Sequence, residues 1–220
     1  MRFADRSDAG RRLAAVLAAR YAGQDAVVLA LPRGGVPVAA EVAAALGAPL
    51  DLLIVRKVGV PFEPEVAMGA VVAGTPPIVV RNEDVIRACD ITAEDFERAS
   101  AAEFAEIERR RQRYLGTRPP VPLAGRVAIV VDDGIATGAT MKAALRAVAR
   151  REPRELVLAV PVAPAETLAD LAREVDAVVC LSTPSPFDAI GRFYDRFDQL
   201  ADAAVIETMA RFSAPAGVKD

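Results

Sequence analysis

Arg126-Val-Ala-Ile-Val-Val-Asp-Asp-Gly-Ile-Ala-Thr-Gly-Ala-Thr140 is the stretch that decides the fold. A continuous apolar run ends in two adjacent carboxylates, Asp132 and Asp133. A loop of small and hydroxyl-bearing residues follows, and then an alanine-rich helical stretch. This order describes a buried strand that delivers acids to its carboxyl end and turns tightly into a helix amino terminus. The unpaired N–H groups and positive dipole end of such a helix form a ready cradle for phosphate. Acids beside an anion cradle make chemical sense when the ligand is a sugar phosphate. The carboxylates then accept hydrogen bonds from a vicinal diol while the loop amides and hydroxyls hold the phosphate.

Working outward, strand-like apolar runs alternate with helical periods, the signature of a parallel α/β sheet. Helices are expected over 5–22, over 35–46 (closed by Gly47), 92–115, 137–151, 164–174 and near 200–212. Strands are expected over 26–31, 50–55, 126–132, 155–160 and 177–182. Residues 67–72 and 78–81 suggest two more strands, turning at Gly74-Thr-Pro-Pro77. Residues 59–66, with prolines at 61 and 64, read as a loop, and Arg118-Pro-Pro-Val-Pro122 as a linker. Thr92 and Asp95 form a capping box for the long helix. In open sheets of this kind ligands bind beyond the carboxyl ends of the strands.

Composition narrows the chemistry. The 220 residues, 53% hydrophobic, supply a sizeable core, and a formal net charge of −3 gives no global pull toward nucleic acid. The chain has no histidine, which excludes Ser-His-Asp and Cys-His nucleophile systems, HExxH metal sites and imidazole bases. Catalysis must come from carboxylates, Lys, Arg, hydroxyls, backbone dipoles or a bound metal. Cys89 and Cys180 lack metal-type spacing and are expected to be reduced and buried. Without a signal-like or membrane-length apolar stretch, a soluble cytoplasmic protein is expected.

Val130 to Thr140 resembles the phosphoribosyl-pyrophosphate (PRPP) signature of type I phosphoribosyltransferases. The resemblance implies a mainly parallel central sheet flanked by helices, spanning 1–220 as one domain, with a helical insertion at 82–118 and a hood or tail at 183–220. It implies that Asp132 and Asp133 bind the ribose hydroxyls. Gly134, Ile135, Ala136, Thr137, Gly138, Ala139 and Thr140 would wrap the 5′-phosphate. Leu31-Pro-Arg-Gly-Gly-Val36 resembles the family's pyrophosphate loop, where Arg33, Gly34 and Gly35 face an anion and a non-proline cis peptide is expected at Pro32–Arg33. Arg56 and Lys57 resemble the cations that contact pyrophosphate, so Arg33, Arg56 and Lys57 are the candidate catalytic residues. Residues 59–65 resemble a mobile flap that excludes water.

The activity implied is transfer of ribose 5-phosphate from PRPP to a nitrogenous acceptor. Mg²⁺ is carried by the substrate, with no direct protein ligand. A non-catalytic PRPP or nucleotide sensor on the same fold is the alternative. Members acting on 6-oxopurines carry an acid immediately before the Thr-Gly pair; here that position is Ala136, which disfavours hypoxanthine and guanine. Phe187-Asp-Ala-Ile-Gly-Arg-Phe-Tyr-Asp195 more loosely resembles a base-packing segment, in which Phe187 could stack on the acceptor and Asp195 lie near the metal–pyrophosphate. Glu108-Arg-Arg-Arg-Gln-Arg113 reads as a solvated helix face or a subunit contact. The partners implied are PRPP and a small acceptor, with no membrane, no nucleic acid, and a homodimer permitted.

Overall fold

A computed structural model describes residues 1–74 and 77–212. Five parallel strands form the central sheet: β1 (Ala26–Ala30), β2 (Leu50–Leu52), β6 (Val127–Val131), β7 (Glu155–Val162) and β8 (Ala177–Ser182). Their order is β2-β1-β6-β7-β8, which puts β6 in the middle with β1 and β7 as its neighbours. Every residue of β1 and β6 is buried. Val28, Ala30, Ile129 and Val131 belong to one apolar layer, while Val27, Leu29, Ala128 and Val130 belong to the other. The period-2 alternation of a strand thus supplies both faces of a sheet covered on both sides.

The first layer is closed by α1 (Arg6–Tyr21), α2 (Gly35–Leu46), α4 (Ala93–Leu115) and α7 (Asp202–Arg211). The second is closed by α5 (Ala139–Ala149) and α6 (Ala165–Leu171). Local chemistry fixes the helix ends. The Asp5 carboxylate accepts the Asp8 N–H, and Gly47 ends α2 in the left-handed region at φ 61°. At α4, Thr92 Oγ1 accepts the Asp95 N–H at 3.1 Å and donates to Asp95 Oδ2 at 2.6 Å. The expected helix over 164–174 is α6 followed by a 3₁₀ turn at Ala172–Glu174.

A second, antiparallel sheet holds β3 (Val55–Val60), β4 (Glu63–Val72) and β5 (Ile78–Arg81) in that order. Two expectations are corrected here. The strand expected over 50–55 stops at Leu52, and a new strand of the other sheet begins at Val55. The expected loop over 59–66 is largely a β-hairpin between β3 and β4, with register shifts around Gly59. A Cβ on Gly59 would lie 2.5 Å from the Pro64 carbonyl oxygen, so the bulge requires glycine there. Of the turn expected at 74–77, residues 75 and 76 lie outside the described residues. Residues 82–118 contain α3 (Glu83–Ala88) and α4.

The expected linker is pinned in place. Buried Asp51 accepts the Val121 N–H at 2.8 Å, and Arg118 donates to the Leu50 carbonyl at 2.6 Å. The segment after β8 returns to the amino terminus: Phe3 N–H donates to the Phe193 carbonyl, and Asp195 N–H donates to the Phe3 carbonyl, each at 2.8 Å. Phe3 and Tyr194 are buried with ring centroids 5.4 Å apart. Burying Phe3 contributes about 1.5–3 kcal/mol toward holding this closure. Cys89 and Cys180 are free thiols, half-buried where full burial was expected. Among the described residues no helix is long and apolar enough to cross a membrane.

Candidate functional site

The carboxyl end of β6 presents Asp132 and Asp133. The loop that follows carries Ala136 and Thr137 exposed to solvent, and the first turn of α5 exposes Ala139 and Thr140. Gly138 caps α5 at φ 77°, a left-handed conformation that favours glycine. No side chain caps this helix start, so its leading N–H groups are free to meet a ligand. Gly134 and Ile135 are buried beneath the loop, and Ile135 N–H is tied to the Val162 carbonyl at 3.0 Å. Thr167 Oγ1 donates to the Ala136 carbonyl at 2.9 Å, anchoring the loop to α6. These hydrogen bonds anchor a platform with a small-residue rim.

The neighbouring strand β1 leads into Pro32–Arg33, whose peptide bond is cis as the resemblance implied. Gly34 and Gly35 then pass directly over the acids. A Cβ on Gly34 would lie 2.2 Å from Asp133 Oδ2, and one on Gly35 would lie 2.8 Å from the Val131 carbonyl oxygen and 2.9 Å from Asp132 Cα. Both glycines are therefore required by close approach. The acid pair and the glycine pair, about a hundred residues apart in sequence, form one surface at the ends of adjacent strands.

The two acids have different surroundings. Asp133 is buried, and its Oδ2 accepts Arg6 Nε at 2.7 Å. Tyr194 Oη donates to the Asp133 carbonyl at 2.6 Å. Asp132 is half-buried, and its Oδ1 accepts the Asp133 N–H at 2.8 Å. Burial, with the charge of Asp133 beside it, holds the Asp132 carboxyl well above the usual carboxylate range. Burial also raises Asp133, with Arg6 pulling the other way. Burial pushes the Tyr194 phenol up, which keeps it a neutral donor.

The three candidate cations each hold a carboxylate. Arg56 donates from Nε to Glu103 of α4 at 2.7 Å, and Lys57 reaches Glu65 across the hairpin at 3.4 Å. Arg33 lies 3.6 Å from Asp202 at the start of α7, which also receives Arg113 at 3.0 Å and the Tyr114 hydroxyl at 2.7 Å. These neighbours hold Asp202 below the usual carboxylate range, the Tyr114 hydrogen bond first. A cavity of about 490 Å³ opens between the hairpin sheet and α5, lined by Lys57, Gly69, Arg81, Thr140, Lys142 and Arg146. Its size suits a small molecule.

Phe187 stacks on Phe193 with ring centroids 5.3 Å apart, and the exposed Asp195 carboxylate pairs with Arg2 at 2.5 Å. The basic run on α4 is internally partnered: Arg109 and Arg110 pair with Glu106, Arg111 donates to the Arg118 carbonyl, and Arg113 holds Asp202. Arg6 and Tyr194 are the neighbours of the acid pair that the sequence did not disclose. An ion pair spanning 127 residues leaves no local pattern to find.

Comparison with known proteins agrees with this geometry. The family model described as "Phosphoribosyl transferase domain" matches residues 4–191. In two strains of Mycobacterium tuberculosis, proteins named as candidate phosphoribosyl transferases are 47% identical over 209 residues, or 95% of this chain. The match takes in 46% of those relatives, so the chain spans about half their length. The crystal structure of TT1426 from Thermus thermophilus is 42% identical and superposes with a TM-score of 0.85, covering 97% of this chain and 100% of that one. With acids, glycines and phosphate-type loop assembled at one sheet end and the family model matched along most of its length, the chain belongs to the phosphoribosyl transferase family.

Proposed function

We propose that this protein transfers ribose 5-phosphate from Mg²⁺-bound PRPP to a nitrogenous acceptor and releases pyrophosphate. The observation that carries the reading is the single surface made by Asp132, the Gly34–Gly35 crossing and the exposed Thr137–Thr140 rim at an uncapped helix start. The rim amides and hydroxyls take the 5′-phosphate, the acid end of β6 takes the sugar, and Arg33, Arg56 and Lys57 neutralise the departing pyrophosphate. The C1–O bond to pyrophosphate breaks and its electron pair leaves with the pyrophosphate. The acceptor nitrogen supplies the pair for the new N–C1 bond, and any proton it carries passes to solvent. The fixed platform orients the sugar as positive charge develops at C1. Ala136 offers no carboxylate to a 6-oxopurine, so other nitrogenous acceptors are favoured.

Melting with saturating PRPP and Mg²⁺ tests binding. At about 100 times its dissociation constant, the ligand adds about 2.7 kcal/mol of stability. Release of labelled pyrophosphate with a panel of bases tests transfer. No thermal response to PRPP would defeat the reading. A response with no release for any base would favour a second reading, a PRPP sensor. That reading draws support from the ion pairs already holding Arg33, Arg56 and Lys57.

These ion pairs yield a separate expectation. Glu103→Gln frees Arg56 for pyrophosphate at the loss of one partly exposed pair worth about 0–1 kcal/mol. PRPP affinity should rise by up to about five-fold, measured by titration against the wild type. An unchanged affinity would mean that Arg56 does not meet the ligand.

A further inference from the structure

We propose that Arg6 is a positioning residue that commits Asp133 to the protein and leaves Asp132 as the carboxylate that takes the sugar diol. This rests on the sugar-phosphate reading above and divides the work of its acid pair.

The geometry around Arg6 is closed on every side that matters. Its side chain and that of Asp133 are each only 11% exposed, and they meet Nε to Oδ2 at 2.7 Å. The guanidinium carbon sits 3.9 Å from the centre of the Phe197 ring, and Nη1 donates to the Asp198 carbonyl at 2.9 Å. An ion pair, a ring face and a carbonyl together fix the orientation of a planar group. The Asp133 carboxylate is equally committed. All three of its atoms lie within 2.9 Å of the point where a Gly34 Cβ would stand, so it lies flat on that backbone. Its own carbonyl receives the Tyr194 hydroxyl. The Oδ2 and the carbonyl oxygen of Asp133 are thus engaged within the protein.

Asp132 differs on each point. It is more exposed than its neighbour and makes no ion pair among the described residues. Two adjacent carboxylates repel unless one is neutralised, and a carboxylate with no cation of its own keeps its acceptor lone pairs for the hydroxyls of a diol. Arg6 neutralises Asp133 and so keeps its neighbour free to act as an acceptor. The pair is asymmetric by construction.

The test compares Arg6→Gln, Arg6→Lys, Arg6→Gln/Asp133→Asn and Asp132→Asn by titration with Mg²⁺–PRPP, with circular dichroism confirming the fold. Arg6→Gln leaves a buried carboxylate unpaired and should weaken PRPP binding by at least about ten-fold. Removing both charges in Arg6→Gln/Asp133→Asn should recover most of that loss, and Arg6→Lys should fall between. Asp132→Asn should abolish the response. Rescue by the neutral pair is a readout that packing alone would not produce. If the double variant folds but ignores PRPP as Asp132→Asn does, Asp133 itself meets the sugar and the inference fails. If Arg6→Gln binds as the wild type does, Arg6 sets nothing and the inference also fails. Should Arg6→Gln alone unfold, the double variant still decides. A wild type that ignores PRPP would instead sink the underlying sugar-phosphate reading, and the inference with it.

Discussion

Asp132→Asn should abolish the stabilisation by PRPP and, in the same protein, make the ligand-free state more stable. Burial and the adjacent Asp133 raise the folded-state pKa of Asp132 above its ordinary value. The folded chain therefore binds more protons than the unfolded chain at pH values between the two. By linkage, stability falls as pH rises from the ordinary carboxylate value through the raised one, and the deficit is complete above the latter. Asparagine removes the ionisation and keeps an Oδ1 that can still accept the Asp133 N–H. The expected gain at neutral pH is about 0.5–2 kcal/mol, set against a lost ligand response of about 2.7 kcal/mol. Melting both proteins from acid to neutral pH gives the check: the advantage of the variant should widen as pH rises. A variant less stable at every pH would show that the carboxylate supports the fold, contrary to its being kept for a ligand.

Gly35→Ala should have the larger effect on folding itself. The new methyl would meet the Val131 carbonyl at 2.8 Å and Asp132 Cα at 2.9 Å, both backbone atoms at the β6 end of the sheet. Flexible side chains could swing away from such a contact, but a central strand hydrogen-bonded on both edges cannot. Overpacking of this kind costs about 1–3 kcal/mol. Any relaxation must also separate the glycine loop from the acid pair, so PRPP binding should fall by more than about ten-fold. Denaturant unfolding and PRPP titration measure the two losses. Wild-type values for both would mean that the crossing loop has slack.

The parts of this molecule that were legible in sequence share a physical cause. Strands such as Val127–Val131 are buried on both faces, so they appear as unbroken apolar runs whatever surrounds them. The acid pair, the glycine pair and the Thr137–Thr140 rim are local, because a tight turn needs small residues beside one another. The β3–β4 hairpin escaped because its strands are partly exposed, mix Arg56, Lys57, Glu63 and Glu65 with Gly59, and carry Pro64. That composition is what a loop also has. The partners of Arg33 and Arg56 were hidden for another reason. Asp202 and Glu103 are brought to them by the packing of α7 and α4, and no spacing rule links them.

Arg6 has one further consequence, in the order in which the molecule can be made. It contacts Asp133 and then Asp198, 127 and 192 residues later. At about 5–20 residues per second, translation leaves the arginine waiting about ten to forty seconds for its last partner. Nascent chains halted before Phe197 should carry the complete glycine and threonine loops but an unsettled acid pair. If the acid pair takes a sugar as proposed, ligand capture would begin only once the segment that follows β8 has been made, because Arg6 finds Phe197 and Asp198 there.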